Sequence, residues 1–365
     1  MTTFLDWNNR PDQPYVNQAG EELRRWWSGR ERKPNVALVY GGLSAEDRLY
    51  IDKCPPEQLS LNTLMATLKE VNAPFRWLNP TNPGFIQDLA GYDVALSNLH
   101  GPFGEDGRLQ GLLDYLRVPY CGSGVGASAV ASDKVMCKRL MESIGVPTPE
   151  WYVWNGGPAE DAGCPVMVKP AHGGSSVGMS LVRSGYDLPV ALATASDIYP
   201  CPALVEEYIP GVPVTVGLME LPGRAVLVFP PLATEVESAD FYDADTKLAA
   251  DRQSNVTTRE AELPPETRTA IKGHARALWN TLDLRGTARV DFIVASDKRI
   301  YALEVNTTPD MSAGSNFVSG AELCGFNHAD VVLAMLHEAI VRPPYDVPLP
   351  VPRFAGGPSL RKRAS

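Results

Sequence analysis

The amino-acid sequence predicts an α/β protein in which a parallel α/β unit comes first and an α+β region rich in antiparallel strands follows. Up to Glu150, apolar runs that end in glycine turns alternate with helical periodicity, which is typical of a parallel sheet covered by helices. Beyond Glu150, short β-rich runs follow one another, as they do in antiparallel hairpins. The 365 residues are enough for two or three domains.

Three strand-like runs build the predicted parallel unit, and each leads into a glycine turn. They are NVALVYGG at 35–42, YDVALSNLHG at 92–101 and LRVPYCGSG at 116–124. One helix is predicted over 127–145, where apolar residues recur at helical spacing until Gly145. Because ligands of such sheets bind at the carboxyl ends of the strands, the glycine turns are candidate binding loops.

Hairpins dominate the prediction for the second region. Strand, glycine loop and strand are expected in CPVMVKPAHGGSSVGMSLV at 164–182, and a strand that runs into a turn in ALVEEYIPG at 203–211. A helix over 327–341 closes this region. Four further β-rich runs are PVTVGLMEL, RAVLVFPPL, TARVDFIVA and RIYALEVNT.

The two ends of the chain differ from the region between them. Residues 1–33 are polar and contain tryptophan, with an amphipathic stretch at 21–32. We expect a loosely packed N-terminal extension, with a lid or an interface element as alternatives. Residues 343–365 are rich in proline and predict an extended tail.

Charge and composition exclude several classes of partner. The formal net charge is −10 and no block of like charges stands out, which argues against nucleic acid or an acidic membrane surface. No apolar run approaches the ~18 residues of a membrane span, and no signal peptide is recognised, so a cytoplasmic protein is expected. Six scattered cysteines without a C-x-x-C pair predict neither a zinc site nor a disulfide framework.

A loop of small residues, GGSSVG at 173–178, lies between two predicted strands and follows Lys169. Its backbone N–H groups could approach an anion closely, Ser175 and Ser176 add hydroxyl donors, and Lys169 adds a positive charge. From the loop alone, phosphate binding and a plain hairpin turn are equal alternatives. The loop does not match the P-loop pattern.

A rival motif, GSGVGA at 122–127, fits the dinucleotide pattern G-x-G-x-x-A after a strand and before a helix. The dinucleotide fold also needs an acidic residue about 20 positions on, at the end of the next strand. Glu142 has this distance but lies inside the predicted helix. An NAD-dependent dehydrogenase is therefore a weak alternative.

Four polar residues on two predicted strands carry the strongest signal for chemistry. Arg289 and Asp291 share one face of one strand, and Glu304 and Asn306 share one face of another. If these strands pair, two carboxylates and an amide oxygen converge, which suits magnesium and a nucleotide. A solvated hairpin with alternating charges is the alternative. A cleft is favoured because the neighbours are strongly apolar, namely Phe292, Ile293, Leu303 and Val305.

The order of these motifs resembles the D-alanine–D-alanine ligase family of the ATP-grasp superfamily, over about residues 34–340. The resemblance implies an ATP-grasp fold of three domains, at 34–122, 123–208 and 209–342, with ATP between the second and the third. Seven blocks carry it: YGGLSAE (40–46), HGPFGEDGRLQGLL (100–113), VPYCGSGVGASAVASDK (118–134), VKPAHGGSSVG (168–178), VEEYIPG (205–211), ARVDF (288–292) and LEVNTTP (303–309).

The resemblance implies which residues bind the nucleotide. Lys134 and Lys169 match the lysines that contact ATP phosphates, and Glu206 matches the acid that reaches the adenine amino group. Lys247 lies where the family's flexible loop brings a lysine to the γ-phosphate. The implied ligands of two Mg²⁺ ions, which Mn²⁺ could replace, are Asp291, Glu304 and Asn306. Further implied ATP contacts are Ser175, Ser176, Val177, the backbone of Tyr208 and Ile209, and an adenine slot walled by Phe241, Ile293 and Leu303.

The implied reaction forms an amide bond between two amino acids in two steps. ATP phosphorylates the carboxylate of the first amino acid, and the amine of the second attacks the acyl phosphate. Glu46 would hold the ammonium group of the first amino acid, Ser175 would position Glu46, and His100 would lie near this pocket. Arg289 would donate to the oxyanion, and Ser315 would bind the carboxylate of the second amino acid.

Four positions depart from the family pattern close to the implied substrates. Leu248 stands where an aromatic residue is usual, Asp310 where a glycine N–H joins the oxyanion site, and Asn316 where an apolar residue is common. Pro213 replaces the carboxylate that holds the ribose. Two alternatives stay open: a cell-wall ligase of D-alanine, and a specialised ligase that joins other substrates in a natural-product pathway.

Two other expectations concern activity and assembly. A nucleotide-binding regulator without catalysis is a further alternative, although the lysines and carboxylates of the motif are all retained. Small-molecule amino acids are the expected partners. A homodimer is also expected, because members of the family are often dimers through the first domain.

Overall fold

A computed structural model of the chain describes residues 2–43, 48, 51–52, 54–56, 59–158, 163–173, 178–198, 201–236 and 256–342. The predicted tail at 343–365 lies outside these residues. In chain order, the helices and strands are β1 (Phe4–Asp6), α1 (Gln13–Ser28), β2 (Val36–Val39), α2 (Ser60–Glu70), β3 (Phe75–Leu78), α3 (Phe85–Leu89), β4 (Val94–Ser97), α4 (Arg108–Leu116), α5 (Val125–Ser132), α6 (Lys134–Ser143), β5 (Trp151–Trp154), β6 (Val166–Pro170), β7 (Ser180–Val182), α7 (Leu188–Ile198), β8 (Ala203–Glu207), β9 (Gly211–Glu220), β10 (Val226–Val228), β11 (Leu232–Val236), β12 (Val256–Glu260), α8 (Pro265–Leu282), β13 (Thr287–Ala295), β14 (Ile300–Asn306), α9 (Asn316–Leu323) and α10 (His328–Val341).

A three-stranded parallel sheet forms the first part of the fold, in the order β3–β2–β4. Successive side chains of β2 point into two different cores. Val36 and Leu38 pack with α1, α2 and α10, whereas Ala37 and Val39 pack with α3 and α4. Because β2 is covered on both faces, its sequence is apolar throughout rather than alternating.

The parallel unit is confirmed, but one of its strands differs from the prediction. The run at 116–124 contributes only an isolated bridge between Tyr120 and Ala95. Pro119 has no N–H to donate, which limits strand pairing at this point. The third strand is β3, which was not predicted from the sequence. Its two central residues, Arg76 and Trp77, are exposed, so the strand lacks the continuous apolar run that marks β2 and β4.

A four-stranded antiparallel sheet follows, in the order β5–β8–β6–β7. Strands β6 and β7 confirm the predicted hairpin at 164–182, and β8 confirms the strand at the start of 203–211. Helix α7 covers one face, where Leu188 and Leu192 share a core with Val168 and Val205.

The largest sheet is built around β9. This strand pairs with β13 along 211–219, and with β10 and β11 on its other side. Strand β14 extends the sheet beyond β13, and β12 extends it beyond β11. Helix α8 packs on one face, where Ile271 and Leu278 share a core with Val216, Val290 and Phe292. The predicted closing helix corresponds to α10.

The single helix predicted over 127–145 is wrong, because two helices, α5 and α6, meet at Asp133. Asp133 has an extended backbone, with φ −89° and ψ 101°. Its carboxylate accepts from the backbone N–H groups of Val135 and Met136, both at 3.0 Å. The side chain therefore caps α6 and starts a new helix axis at Lys134.

The N-terminal extension is packed into the fold, so the expectation of a loosely packed segment is wrong. Strand β1 pairs in parallel with β10 of the large sheet. Helix α1 buries Val16 and Leu23 completely, in a core shared with α2 and α10. The indole N–H of Trp27 donates to the carbonyl of Val71 at 2.7 Å.

No helix in the described ranges is long and apolar enough to cross a membrane. The predicted domain boundaries stay a prediction. Within the described residues, β1 belongs to the same sheet as β9–β14 and not to the parallel sheet that follows it in sequence.

Candidate active site

Strands β13 and β14 bring the four predicted polar residues together. Their register places Arg289 opposite Asn306 and Asp291 opposite Glu304. All four side chains are half-buried, while alternate residues such as Val290 enter the apolar core. The strand pairing predicted from sequence is confirmed, and the polar groups form one face of the large sheet.

Arg289 and Asp291 form a bidentate ion pair along β13. The Nε atom of Arg289 lies 3.0 Å from Oδ1 of Asp291, and Nη2 lies 2.8 Å from Oδ2. Thr215 of β9 also donates to this carboxylate. Burial alone would lower the pKa of Arg289, but the charges of Asp291, Glu304 and Asp310 raise it, so the guanidinium stays charged.

The oxygens on this face fit a hard divalent cation. They comprise the carboxylates of Asp291 and Glu304 and the amide oxygen of Asn306, which accepts from the Thr308 N–H at 2.8 Å. Within the part of the chain that the structure describes, no three His, Cys, Asp or Glu side chains could hold a metal together. A metal here would therefore take further ligands from phosphate oxygens, as Mg²⁺ commonly does.

A buried carboxylate, Glu206 of β8, lies between two lysines. Its side chain is 2% exposed, Lys138 Nζ lies 2.6 Å from Oε1, and Lys169 contacts Oε2. Burial would raise the pKa of Glu206, but the two lysines outweigh burial and lower it. Glu206 is therefore ionised, and its position is fixed from both sides.

Lys138 was missed by the sequence analysis. It lies four residues after Lys134, hence on the same face of α6, and this spacing was the available signal. Its Nζ atom also contacts Thr148 Oγ1 at 2.5 Å, and that hydroxyl donates to the carbonyl of Ala302 at 2.8 Å. Lys138 thus connects Glu206 to strand β14.

Lys134 begins α6 and points toward the glycine loop. Its Nζ atom donates to the carbonyl of Gly173 at 2.5 Å. Burial lowers the pKa of Lys134, and nearby Lys169 lowers it further, while Glu304 opposes the shift. Lys138 and Lys169 share the single carboxylate of Glu206, and the half-buried Lys134 adds a third positive charge, so this region suits a phosphate ligand.

The predicted adenine contacts follow β8 and line the large sheet. The N–H of Tyr208 donates to the carbonyl of Pro165 at 3.2 Å, so it is already used. Ile293 lies on β13 between Pro213 of β9 and Tyr301 of β14. Leu303 is the extra residue of a β-bulge, between the pairs Phe292–Ala302 and Asp291–Glu304. The bulge interrupts the alternation of buried and exposed side chains, so Leu303 and its neighbour Glu304 are both half-buried.

The loop after β14 is organised by Asp310 and Ser315. The Asp310 carboxylate accepts from the N–H of Ser312 at 3.0 Å and from its hydroxyl at 2.6 Å. The Ser315 hydroxyl donates to the Asp310 carbonyl at 2.8 Å and accepts from Val318 N at 3.4 Å, capping α9. The carboxylate that departs from the family pattern is thus engaged within its own loop.

Asn316, the first residue of α9, is held by strands β11 and β12. Its Oδ1 atom accepts from Thr258 Oγ1 at 2.8 Å, and its Nδ2 atom donates to Thr234 Oγ1 at 3.3 Å. His100 lies on the loop after β4, with Nδ1 3.5 Å from Glu105 Oε1. The same glutamate accepts from the N–H of Gly101 at 2.7 Å, which fixes the turn.

The dinucleotide alternative finds no support in the geometry. Glu142 lies on α6, not at the end of a strand, and accepts from the indole of Trp151 at 2.8 Å. Seven predicted site residues lie outside the described residues, namely Glu46, Ser175, Ser176, Val177, Phe241, Lys247 and Leu248.

Comparisons with known proteins match most of the chain to D-alanine–D-alanine ligases. The family models for the D-ala D-ala ligase N-terminus and C-terminus match residues 58–123 and 140–337. A D-alanine–D-alanine ligase of Synechococcus sp. (strain JA-3-3Ab) is 34% identical over 319 residues, covering 84% of this chain and 94% of the relative. That of Deinococcus radiodurans is 36% identical over 347 residues, covering 84% and 99%.

Solved structures give the same picture. A D-alanine–D-alanine ligase from Bacillus anthracis complexed with ATP has a TM-score of 0.70 and 25% identity, covering 84% of this chain and 97% of that chain. D-alanyl-alanine synthetase A from Vibrio cholerae has a TM-score of 0.73, covering 86% and 100%. At 21% identity, the second likeness concerns the fold alone.

Proposed function

The chain belongs to the D-alanine–D-alanine ligase family and is an ATP-dependent ligase that forms a peptide bond, and we propose that it joins two amino acids, with D-alanine as the first candidate. One observation carries this proposal. Arg289, Asp291, Glu304 and Asn306 meet on one face of β13 and β14 as two cross-strand pairs. The buried lysines around Glu206 lie nearby and favour an anion.

The proposed reaction has two steps. A carboxylate oxygen of the first amino acid attacks the γ-phosphorus of ATP, giving an acyl phosphate and ADP. The amine of the second amino acid then attacks the acyl carbon, and phosphate leaves with the bonding electrons while the amine loses a proton. Lys134 and Lys169 would neutralise phosphate charge, and the charged Arg289 would donate to the oxyanion of the tetrahedral intermediate.

Magnesium fits the oxygens on β13 and β14. Asp291, Glu304 and Asn306 would hold two Mg²⁺ ions, or Mn²⁺ in their place, and bound metal neutralises charge on the transferring phosphoryl group. Asp291 now pairs with Arg289 and Thr215, so its carboxylate would exchange these partners for metal. That exchange would free the guanidinium of Arg289 to face the reacting acyl group.

Lys169 would make a similar exchange when ATP binds. It now contacts Oε2 of Glu206, and phosphate would draw it away. Lys138 would remain at 2.6 Å from Oε1 and keep Glu206 ionised. The freed oxygen could then accept from the adenine amino group. The backbone of Tyr208 and Ile209 would complete adenine recognition, with Phe241, Ile293 and Leu303 as walls of the slot.

The first amino acid is proposed to bind near Glu46, Ser175 and His100. The second would bind where Ser315 caps α9. Because the Asp310 carboxylate is engaged by Ser312, its backbone N–H can serve the oxyanion site despite the departure from glycine.

A specialised ligase of other amino acids remains the second candidate. Asn316 favours it, because an amide bonded to Thr234 and Thr258 gives a polar wall where the family commonly has an apolar one. Leu248 also removes the hydroxyl that an aromatic tyrosine could supply. A more polar second amino acid is the difference that these residues would favour.

The deciding experiment follows ADP, phosphate and dipeptide with ATP and Mg²⁺. D-Alanine is tested alone, and then in pairs with a panel of D- and L-amino acids, with Lys169→Met as the inactive control. Turnover on D-alanine alone supports the cell-wall type of ligase, and turnover only on another pair supports the specialised type. ATP binding without ADP release on any pair would overturn the proposal in favour of a regulator.

The expected homodimer and cytoplasmic location also remain proposals. Light scattering of the purified chain tests the first of them directly. The parallel sheet at 34–122 is the predicted contact region, so a monomer at micromolar concentration would contradict the homodimer.

A further inference from the structure

The loop that follows β14 is bound to the end of strand β4 by the side chain of Asn98. Asn98, which comes directly after β4, donates from Nδ2 to the carbonyl of Pro309 at 2.8 Å. Asn98 is 1% exposed, and Pro309 is also buried. A carbonyl can only accept, so this contact also settles which end of the Asn98 amide faces the loop.

The bond joins two parts of the proposed site. On one side, the N–H of Asn98 donates to Val39 of β2 at 3.2 Å, and His100 follows two residues later. On the other side, Pro309 lies between Asn306, at the end of β14, and Asp310. A shift of Pro309 would therefore move both the metal-facing strand end and the N–H of Asp310.

A second contact holds the same loop from α10. His328 Nε2 donates to the carbonyl of Met311 at 2.9 Å, while its Nδ1 accepts from Thr67 Oγ1 at 2.7 Å. Burial lowers the pKa of His328, which agrees with a neutral ring in this tautomer. Pro309 and Met311 flank Asp310, so the peptide that carries the Asp310 N–H is fixed on both sides.

Asn98 satisfies one buried polar group and leaves another without a partner. Its Oδ1 atom is buried and finds no hydrogen-bond partner within the described residues, and the same holds for Ser97 Oγ. Both side chains line one small cavity with Cys121, Thr287 and Thr307. An apolar side chain of the same size would remove this unsatisfied acceptor, but it would leave the buried Pro309 carbonyl without its donor.

We propose that Asn98 is a positioning residue, which holds Pro309 so that the Asp310 N–H points at the oxyanion of the amide-forming step. The inference rests on the proposed function and deepens it. Asn98 touches no substrate and acts through the Pro309 carbonyl. When the hydrogen bond from Asn98 to Pro309 is lost, attack by the amine slows, because the oxyanion of the tetrahedral intermediate is less well stabilised. Water then attacks the acyl phosphate instead, regenerating the free carboxylate and releasing phosphate.

The test compares the full-length wild-type chain with Asn98→Leu, Asn98→Asp and Ser97→Ala. Leucine keeps the volume but cannot donate to Pro309. Ser97→Ala is the matched control, because it removes a buried polar atom from the same cavity without touching the loop. Two quantities are measured: hydrogen exchange of the peptide covering 306–315, and the ratio of ADP released to amide formed.

In Asn98→Leu, exchange in this peptide should rise by about three- to tenfold, the factor expected for one buried hydrogen bond. ADP should exceed amide by about twofold or more, while the KM for ATP stays unchanged. Ser97→Ala should match the wild type in both. Unchanged exchange, or faster exchange with ADP and amide still equal, would overturn the proposal.

Asn98→Asp supplies an independent arm if the leucine variant does not fold. A buried carboxylic acid has a raised pKa, and its protonated form can donate to Pro309. Relative to the wild type at the same pH, hydrogen exchange of the 306–315 peptide and the ratio of ADP to amide should therefore recover as the pH falls from about 8 to about 6. A flat profile would contradict the role of the hydrogen bond. If the wild type forms no amide on any pair, the proposed function fails, while the exchange data still decide whether Asn98 holds the loop.

Discussion

Asp291 and Glu304 face each other across β13 and β14 as a pair of like charges. Directly opposed carboxylates repel, and such a pair destabilises a sheet unless a cation intervenes. Arg289 neutralises Asp291 within its own strand, with contacts of 2.8–3.0 Å. The carboxylate of Glu304 has no such ion pair within its own strand, which supports its proposed role as a cation ligand.

Replacing Glu304 by alanine separates this functional role from folding. We expect amide formation to fall by on the order of a thousandfold, because metal-assisted charge neutralisation contributes several kcal/mol. The melting temperature should change little, because the repulsion from Asp291 is lost together with the attraction of Glu304 to Arg289 and Lys134. Glu262→Ala, whose side chain is 85% exposed, is the control for loss of a carboxylate and should retain activity. Near-normal turnover of Glu304→Ala would refute the metal assignment.

The residue scale also shows what a sequence can and cannot predict. Arg289 and Asp291 were found because side chains alternate along a strand with a period of two, which is a local property. Asn98 and Lys138 were missed because their partners, Pro309 and Glu206, lie far away in sequence. Their roles depend on tertiary contacts that no local pattern encodes. Single polar residues after a strand or within a helix are too common to be singled out.

At the scale of elements, α1 is an integral part of the fold. It packs against α10 and α2, and Arg24 forms a bidentate pair with Asp330 at 2.7–2.8 Å. The amphipathic pattern was visible in the sequence, but a pattern shows only that one face is apolar. Which element covers that face is decided by α10, about 300 residues later.

Leu23→Ala measures how firmly α1 is packed. Leu23 is fully buried, so truncation should cost about 2–5 kcal/mol of unfolding free energy, through lost burial and a cavity. Tyr15→Ala on the same helix is the control, because Tyr15 is 64% exposed and its loss should change stability by about 0.5 kcal/mol or less. Urea unfolding followed by circular dichroism gives both values. Equal effects would mean that α1 contributes little to the core.

The break between α5 and α6 shows a second limit at this scale. The apolar spacing continues through Asp133, so periodicity alone predicts one helix. The carboxylate of Asp133 competes for the backbone and caps a new helix instead. The consequence is functional, because Lys134 then sits at a helix start and reaches Gly173.

At the scale of the whole molecule, the first sheet, α10 and the large sheet meet around Arg342. Its guanidinium pairs with Glu338 at 2.5–2.7 Å and donates to the carbonyl of Gly122 at 2.5 Å. Gly286 completes the contact, with a φ of 64° and space so tight that a Cβ would lie 3.1 Å from Gly122 N. Only glycine suits that position.

Glu220 gives this junction a pH dependence. Burial raises the pKa of Glu220, and the neighbouring charge of Glu338 raises it further, while Arg342 opposes the shift. A carboxyl whose folded pKa lies above its unfolded value favours folding when protonated. Its contribution is therefore present at low pH and is lost as the pH rises through the folded pKa.

Arg342→Gln removes the cation that Glu338 and Glu220 share. The variant should lose about 3–5 kcal/mol of unfolding free energy at pH about 7.5, because Glu338, whose side chain is 5% exposed, is left buried without its partner. The loss should shrink at pH about 5, where protonation of Glu220 relieves its repulsion with Glu338. This sign is opposite to that for a buried acid that is stabilised as an anion, which would lose stability on acidification.

Urea unfolding of Arg342→Gln at the two pH values, beside Arg299→Gln, measures this difference. Arg299 pairs with Asp297 at 2.6 Å, but its side chain is 70% exposed, so solvent screens the pair and no measurable loss is expected. If the loss in Arg342→Gln is independent of pH, the junction is held by its contact to Gly122 and by packing on Tyr120, not by charge. If the loss of unfolding free energy grows with pH, the contact between the first sheet and the large sheet depends on neutralisation of Glu220 and Glu338 by Arg342. Acid conditions would then preserve the proposed site even in the variant.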